Sequence, residues 1–168
     1  IANSTAAVNS VHFSASGRLW TAGSYSARLV DATSGQTPAR QLNTYSGSPL
    51  RHSTSGDITG GAVNVLLPLA NGQMLAGGAF TAAGSPATNT KYLARFNADG
   101  TFDNTFIAPA ATGAGAVTKL LQDPVSLKIY VAGSFVDYGG DASRDSLIRL
   151  NADGTLDGTF SSGALMSN

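Results

Sequence analysis

Leu93-Ala94-Arg95-Phe96-Asn97-Ala98-Asp99-Gly100-Thr101-Phe102-Asp103-Asn104-Thr105-Phe106 returns as Leu147-Ile148-Arg149-Leu150-Asn151-Ala152-Asp153-Gly154-Thr155-Leu156-Asp157-Gly158-Thr159-Phe160. The two stretches differ only at Ala94/Ile148, Phe96/Leu150, Phe102/Leu156 and Asn104/Gly158. So long a recurrence means that one supersecondary unit is built more than once, and it decides the fold before any single element is assigned. Upstream the likeness continues. Ala62-Val63-Asn64-Val65-Leu66 through Met74-Leu75-Ala76-Gly77-Gly78-Ala79-Phe80 aligns with Ala116-Val117-Thr118-Lys119-Leu120 through Ile129-Tyr130-Val131-Ala132-Gly133-Ser134-Phe135, and with Ala7-Val8-Asn9-Ser10-Val11 through Leu19-Trp20-Thr21-Ala22-Gly23-Ser24-Tyr25. Gly23, Gly78 and Gly133 stand 55 residues apart. The first copy of the later half is eroded to Ala27-Arg28-Leu29-Val30-Asp31-Ala32-Thr33-Ser34-Gly35, with almost no loop after Tyr25.

Inside each unit, short apolar runs alternate with turn chemistry: Ser14-Ala15-Ser16-Gly17, Ala70-Asn71-Gly72 and Asp123-Pro124-Val125-Ser126 after the first run, then Asp-Gly and Ser-Gly turns. All ten acidic residues are Asp, so the acidic helix former Glu is missing and a turn-capping residue replaces it. The expectation is an all-β chain: a β-propeller-like repeat of about three four-stranded antiparallel blades of ~55 residues, part of a larger propeller or assembly. Residues 1–168 read as a single β-repeat domain, with unit one at 7–59, unit two at 60–112, unit three at 113–162 and the start of a further strand at 163–168. Leu66, Leu75, Leu93, Phe96, Leu120, Ile129, Leu147 and Leu150 are the expected core.

These residues resemble the delta-60 repeat family: an alternating strand, a Gly-small-Phe element, and a run like Arg-Phe-Asn-x-Asp-Gly-Thr-Phe-Asp-x-x-Phe. The resemblance covers about residues 62 to 160 well and 7 to 42 only through the first half of the unit. It implies a propeller-like scaffold from a secreted or surface bacterial protein or a phage virion or tail protein. It carries over no catalytic residues.

Composition narrows the function classes. Ten basic against ten acidic residues give a net charge of +0, without the cationic excess needed to hold a nucleic acid or an anionic membrane. Charged residues are only 12% of the chain, so solubility rests on Ser, Thr, Asn and Gly. No apolar run reaches the ~18 residues of a membrane span. With no cysteine, disulfides and thiolate metal sites are excluded.

Each candidate for chemistry has a structural reading beside it. Asn97, Asp99 and Asp103, repeated as Asn151, Asp153 and Asp157, place oxygen ligands at alternate positions, as a Ca²⁺ loop does, but lack its terminal bidentate Glu; a tight Asp-Gly hairpin is the preferred reading. Otherwise no cofactor is expected. His52, Ser53 and Asp57 supply the ingredients of nucleophilic catalysis within one polar linker, without the separated segments that orient a working triad. His12 ends the first strand. Gly60-Gly61 and Gly77-Gly78 open no helix and precede no Lys-Ser or Lys-Thr pair, so they mark backbone crowding, not a phosphate loop. Arg28, Arg95 and Arg149 recur and suggest a structural ladder or an inter-blade pair with Asp. Trp20, Leu75 and Tyr130 share one repeat position, which favours packing, and Tyr25 belongs to the Gly-small-aromatic element. Tyr45, Tyr92 and Tyr138 fall in or beside loops and are the candidates for ligand contact. The insertions Thr81 to Thr90 and Val136 to Ser146 are where specificity would lie.

Three blades leave two open edges, and a propeller closes with roughly four to eight. Other chains of the same assembly, in a homo-oligomer, are therefore the expected partners, and a surface glycan is a second. The functional expectation is a non-enzymatic structural or attachment module of an extracellular assembly, at a virion or cell surface. A lectin-like carbohydrate-binding propeller is the alternative, and a hydrolase is the third reading.

Overall fold

In the computed structural model, described over residues 8–13, 18–23, 26–31, 40–43, 57–84, 92–109, 111–140 and 144–162, the chain is all-β, with no helix among those residues. Strands β1 (Val8–Phe13), β2 (Arg18–Gly23), β3 (Ser26–Asp31) and β4 (Arg40–Asn43) form one antiparallel meander in sequence order. β5 (Asp57–Thr59) pairs with β8 (Ala82–Gly84), while β6 (Val63–Pro68), β7 (Met74–Gly78) and β9 (Leu93–Phe96) make the second sheet. The third holds β10 (Val117–Gln122), β11 (Ile129–Gly133) and β12 (Leu147–Leu150).

The 55-residue beat is a structural period. Val8 pairs with Gly23, Val63 with Gly78 and Val117 with Gly133, and the register shifts directly after each of these pairs. One extra residue at this point flips the side-chain alternation of the inner strand. As a result Val63 and Leu66, three apart, lie in one apolar cluster, while Val65 and Leu67 pack against another. The Gly that faces each bulge is fixed by space: a Cβ on Gly78 would collide with Ala62 O, and one on Gly133 with Ala116 O. Those carbonyls instead accept hydrogen bonds from Ala79 N at 2.8 Å and Ser134 N at 2.9 Å.

The expected fourth strand exists in unit one but shrinks in units two and three to single bridges, Phe96 to Phe102 and Leu150 to Leu156. The next residue explains this. Asp103 Oδ1 accepts from Thr105 N at 2.9 Å and Asp157 Oδ1 from Thr159 N at 3.0 Å, so each chain turns away after one residue. β5 departs from expectation too: Asp57–Thr59, read as the end of unit one, pairs with the insertion of unit two, and Ala111 bridges Tyr138 in the corresponding place of unit three.

The inner strand β6 lies between β1 and β2 on one side and β10 on the other. Two cores follow. Ile58, Val63, Leu66, Met74, Ala76, Phe80 and Phe96 bury the leading face of unit two. Leu75, Leu93 and Phe106 on its trailing face join Val117, Ile129, Val131, Phe135, Ile148 and Leu150 of unit three. Each such Leu, Ile or Phe stabilises the fold by about 2 kcal/mol over its exposed state. Of the expected core, Leu66, Leu75, Leu93, Phe96, Ile129 and Leu150 are buried, and Leu120 is partly buried against the second cluster. Leu147 is only half-buried, because it lies on the trailing face of unit three, which no further sheet of the described chain covers.

Candidate functional site

The recurring polar residues build the same device in units two and three. Arg95 and Asp103 are brought together because Asp103 N donates to Arg95 O across the degenerate fourth strand, as Asp157 N does to Arg149 O. Arg95 Nε then donates to Asp103 Oδ2 at 2.7 Å, and Arg149 Nε to Asp157 Oδ2 at the same distance. Each guanidinium rests on the aromatic ring that closes its motif: Arg95 over Phe106 at 4.6 Å and Arg149 over Phe160 at 5.0 Å. The remaining carboxylate oxygen caps a turn, accepting from the Thr105 hydroxyl at 2.6 Å or the Thr159 hydroxyl at 2.7 Å.

One slot differs between the copies. In unit two Gln73 Nε2 donates to Asn97 Oδ1 and Asp103 Oδ2, at 3.1 and 2.8 Å. In unit three Lys128 Nζ replaces that amide and reaches Asn151 Oδ1 and Asp157 Oδ2 at 2.9 and 2.8 Å. A cation thus stands where unit two holds a neutral group. Hydrogen bonds from Lys128, then from Thr159 and Arg149, hold the Asp157 carboxyl far below the ordinary 3.8. For Asp103 burial pushes upward, but the bonds from Thr105 and Arg95 outweigh it and the carboxyl is also lowered.

The alternate-oxygen pattern is occupied by the same turns. Asp99 Oδ1 accepts from Thr101 N and Oγ1 at 2.9 and 2.7 Å, Asp153 Oδ1 does so from Thr155 at the same distances, and Asn97 and Asn151 donate to those two threonine hydroxyls. Hydrogen bonds from Thr155 lower the Asp153 carboxyl as well. Among the described residues no three His, Cys, Asp or Glu side chains approach closely enough to hold a metal ion.

The aromatic candidates need correction. Tyr92 is buried at 5% exposure, and its hydroxyl donates to Gly113 O at 2.8 Å. Tyr138 is wholly buried, edge-on to Phe135 at 5.1 Å, and its hydroxyl has no hydrogen-bond partner among the described residues. Burial raises the Tyr138 phenol well above its ordinary value. Proximity to loops suggested exposure; instead both rings plug the seam between a loop and the sheet. Tyr45, His52 and Ser53 lie outside the described residues, and Asp57 begins β5 rather than lying in a linker. His12 pairs with Trp20 and is half-buried. Arg28 departs from the ladder: it pairs with Thr21, whereas Arg95 pairs with Leu75 and Arg149 with Tyr130, so Leu29 opposite Trp20 holds the equivalent slot. The shared slot of Leu75 and Tyr130 is fully buried in unit two and half-buried in unit three, where Tyr130 meets Phe160 edge-on at 5.7 Å.

Sequence reading missed how the device of unit two also locks the units together. Arg95 Nη1 donates to Ala152 O at 2.7 Å, Ile107 N to Asp153 O at 3.1 Å and Asn64 Nδ2 to Val117 O at 3.1 Å. Gly154, with φ of 95°, sits so close to the Phe106 ring that a side chain would strike it. The Ala-Asp-Gly turn of one unit therefore seats on the Arg-Phe platform of the unit before it. The strict retention of Ala98-Asp99-Gly100 as Ala152-Asp153-Gly154 was the available signal.

Antiparallel sheets at a fixed beat, each packing a leading face on its predecessor's trailing face, define a β-propeller-like repeat protein. Residues 69–106 and 128–160 match the family described as domain of unknown function (DUF5122) beta-propeller. No curated protein and no solved structure matches the chain.

Proposed function

We propose that this chain is a non-enzymatic structural or attachment module of an extracellular assembly, such as a phage virion or tail component or a bacterial surface protein, as its resemblance to the delta-60 repeat implies. The observation that carries the reading is the deployment of its reactive side chains. Arg95, Asp103, Arg149 and Asp157 are engaged in turn capping, ring stacking and ion pairing, and they recur in units two and three instead of converging on one site. A scarcity of charge with abundant Ser, Thr, Asn and Gly suits a surface built for contact. A lectin-like role loses support from the burial of Tyr92 and Tyr138.

The test is localisation. An antibody raised against the purified chain should label intact, unpermeabilised particles or cells of the source, and the chain should co-sediment with them. Labelling that appears only after lysis would overturn the proposal.

A further inference from the structure

The repeat supplies its own template for what covers the trailing face of unit three. In unit two that face is Val65, Leu67, Leu75 and Leu93, with Gly77 between, and unit three closes it: a Cβ on Gly77 would lie 3.1 Å from the Val117 Cβ. Adding the 54- or 55-residue period gives Lys119, Leu121, Tyr130, Leu147 and Ala132 on unit three. None of these five is fully buried, and Leu121 is 63% exposed, an apolar side chain on an inner strand facing solvent. The platform is present as well, since Arg149 lies over Phe160 as Arg95 lies over Phe106. A shallow cleft of about 100 Å³ beside it is lined by Leu147, Gly158, Phe160 and Ser162.

We propose that this face docks a second copy of the chain, head to tail, with unit one of the copy packing on unit three as unit three packs on unit two. Continuity with the existing interface identifies the occupant. β1 has the bulge and register of β10, Val8 on Gly23 matching Val117 on Gly133, so unit one presents a leading strand of the same backbone form. Its trailing side is already taken by β6. An exposed sheet face on a repeat favours such heterologous contacts. Lys119 in place of Val65 introduces one cation, which makes this contact weaker than the intramolecular one. The inference rests on the assembly reading above.

Two measurements test it. Sedimentation of the chain between about 1 and 500 µM, a range spanning weak self-association, should show concentration-dependent growth, and Leu121→Asp should reduce the association constant at least about tenfold, the loss expected for an interface anchor. Because Leu121 is already exposed, the variant should keep the wild-type circular dichroism spectrum. Val125→Asp, at the 90% exposed tip of the β10–β11 turn, should associate like the wild type. The chain has no cysteine, so a Val8→Cys/Ala132→Cys double variant, whose positions mirror Val117 and Gly77, should form intermolecular disulfides on oxidation while neither single variant does. Association unaffected by Leu121→Asp and without that crosslink overturns this face and leaves the assembly reading standing. A strict monomer throughout overturns the inference and removes self-assembly from the functional reading.

Discussion

Truncating Asp103 to Ala should be among the most damaging single changes outside the apolar core. Its carboxylate accepts from Thr105 N, Thr105 Oγ1, Arg95 Nε and Gln73 Nε2, at 2.9, 2.6, 2.7 and 2.8 Å. Both side chains of the ion pair are enclosed, Arg95 at 11% exposure and Asp103 at 6%. Removing one member of an enclosed pair costs about 3–5 kcal/mol because the other charge is left uncompensated. Here Arg95 keeps Ala152 O and the Phe106 face, which moves the expected loss to the lower bound, about 3 kcal/mol. For a chain of this size that is a fall in Tm of about 6–12 °C. Asp103→Asn retains an acceptor for Thr105 but no charge for Arg95, and should lose about half as much. Urea unfolding followed by far-UV circular dichroism, with the slope checked for constancy, reads both. A loss below about 1 kcal/mol for the Ala variant would refute the claim that this pair holds the outer turn and the unit seam.

The other expectations concern single features. Both Asp103 and Asp157 titrate below the ordinary 3.8 when folded, so their contribution is complete above that value and is lost as pH falls beneath it; an Asp103→Asn/Asp157→Asn variant should start less stable at pH 7 and show a flatter decline between about pH 5 and 2 in urea midpoints. Gly133→Ala drives a Cβ into Ala116 O and should cost about 2 kcal/mol or more, against about 1 kcal/mol for Gly140→Ala, where φ is 78° but the space is open; equal thermal shifts would contradict the steric account. Tyr138→Phe removes a buried hydroxyl without a partner and should leave Tm unchanged or raise it, so a fall of several degrees would disprove that placement. Lys128→Gln copies the amide of unit two into unit three and should alter stability by less than about 1 kcal/mol in the same urea assay.

Much of this was legible because the repeat is carried by residues with hard steric or hydrogen-bonding demands. Gly78 and Gly133 face a carbonyl, and Asp99, Asp103, Asp153 and Asp157 each cap a turn, so sequence alone placed the strands around them. Tyr92 and Tyr138 were misplaced because their burial depends on long-range contacts with Gly113 and with the bridge to Ala111, which no local pattern encodes. Arg28 looked equivalent to Arg95 by its neighbours but is one step off by register, and register is set by the partner strand. An Arg-Asp pair between blades is what the recurrence suggests, but Arg95–Asp103 and Arg149–Asp157 each close within one unit, and the seating of Gly154 on Phe106, which does join two units, links residues 48 apart in the chain that no local pattern connects.

The bulge after Val8, Val63 and Val117 has a consequence for how such a chain can diverge. Substitutions along the inner strand need only preserve bulk on the side that packs, and Lys119 stands where unit two has Val65 on a face that is exposed in unit three. Loss of one residue is another matter. Deleting Asn64 or Thr118 would remove the half-step and exchange which neighbour each following side chain meets, turning the wedge inside out from that point onward. Drift here is therefore free in letters and closed in length across the bulge itself, whereas the turn beyond it accepts an added residue, since Val63 and Gly78 are 15 positions apart and Val117 and Gly133 are 16.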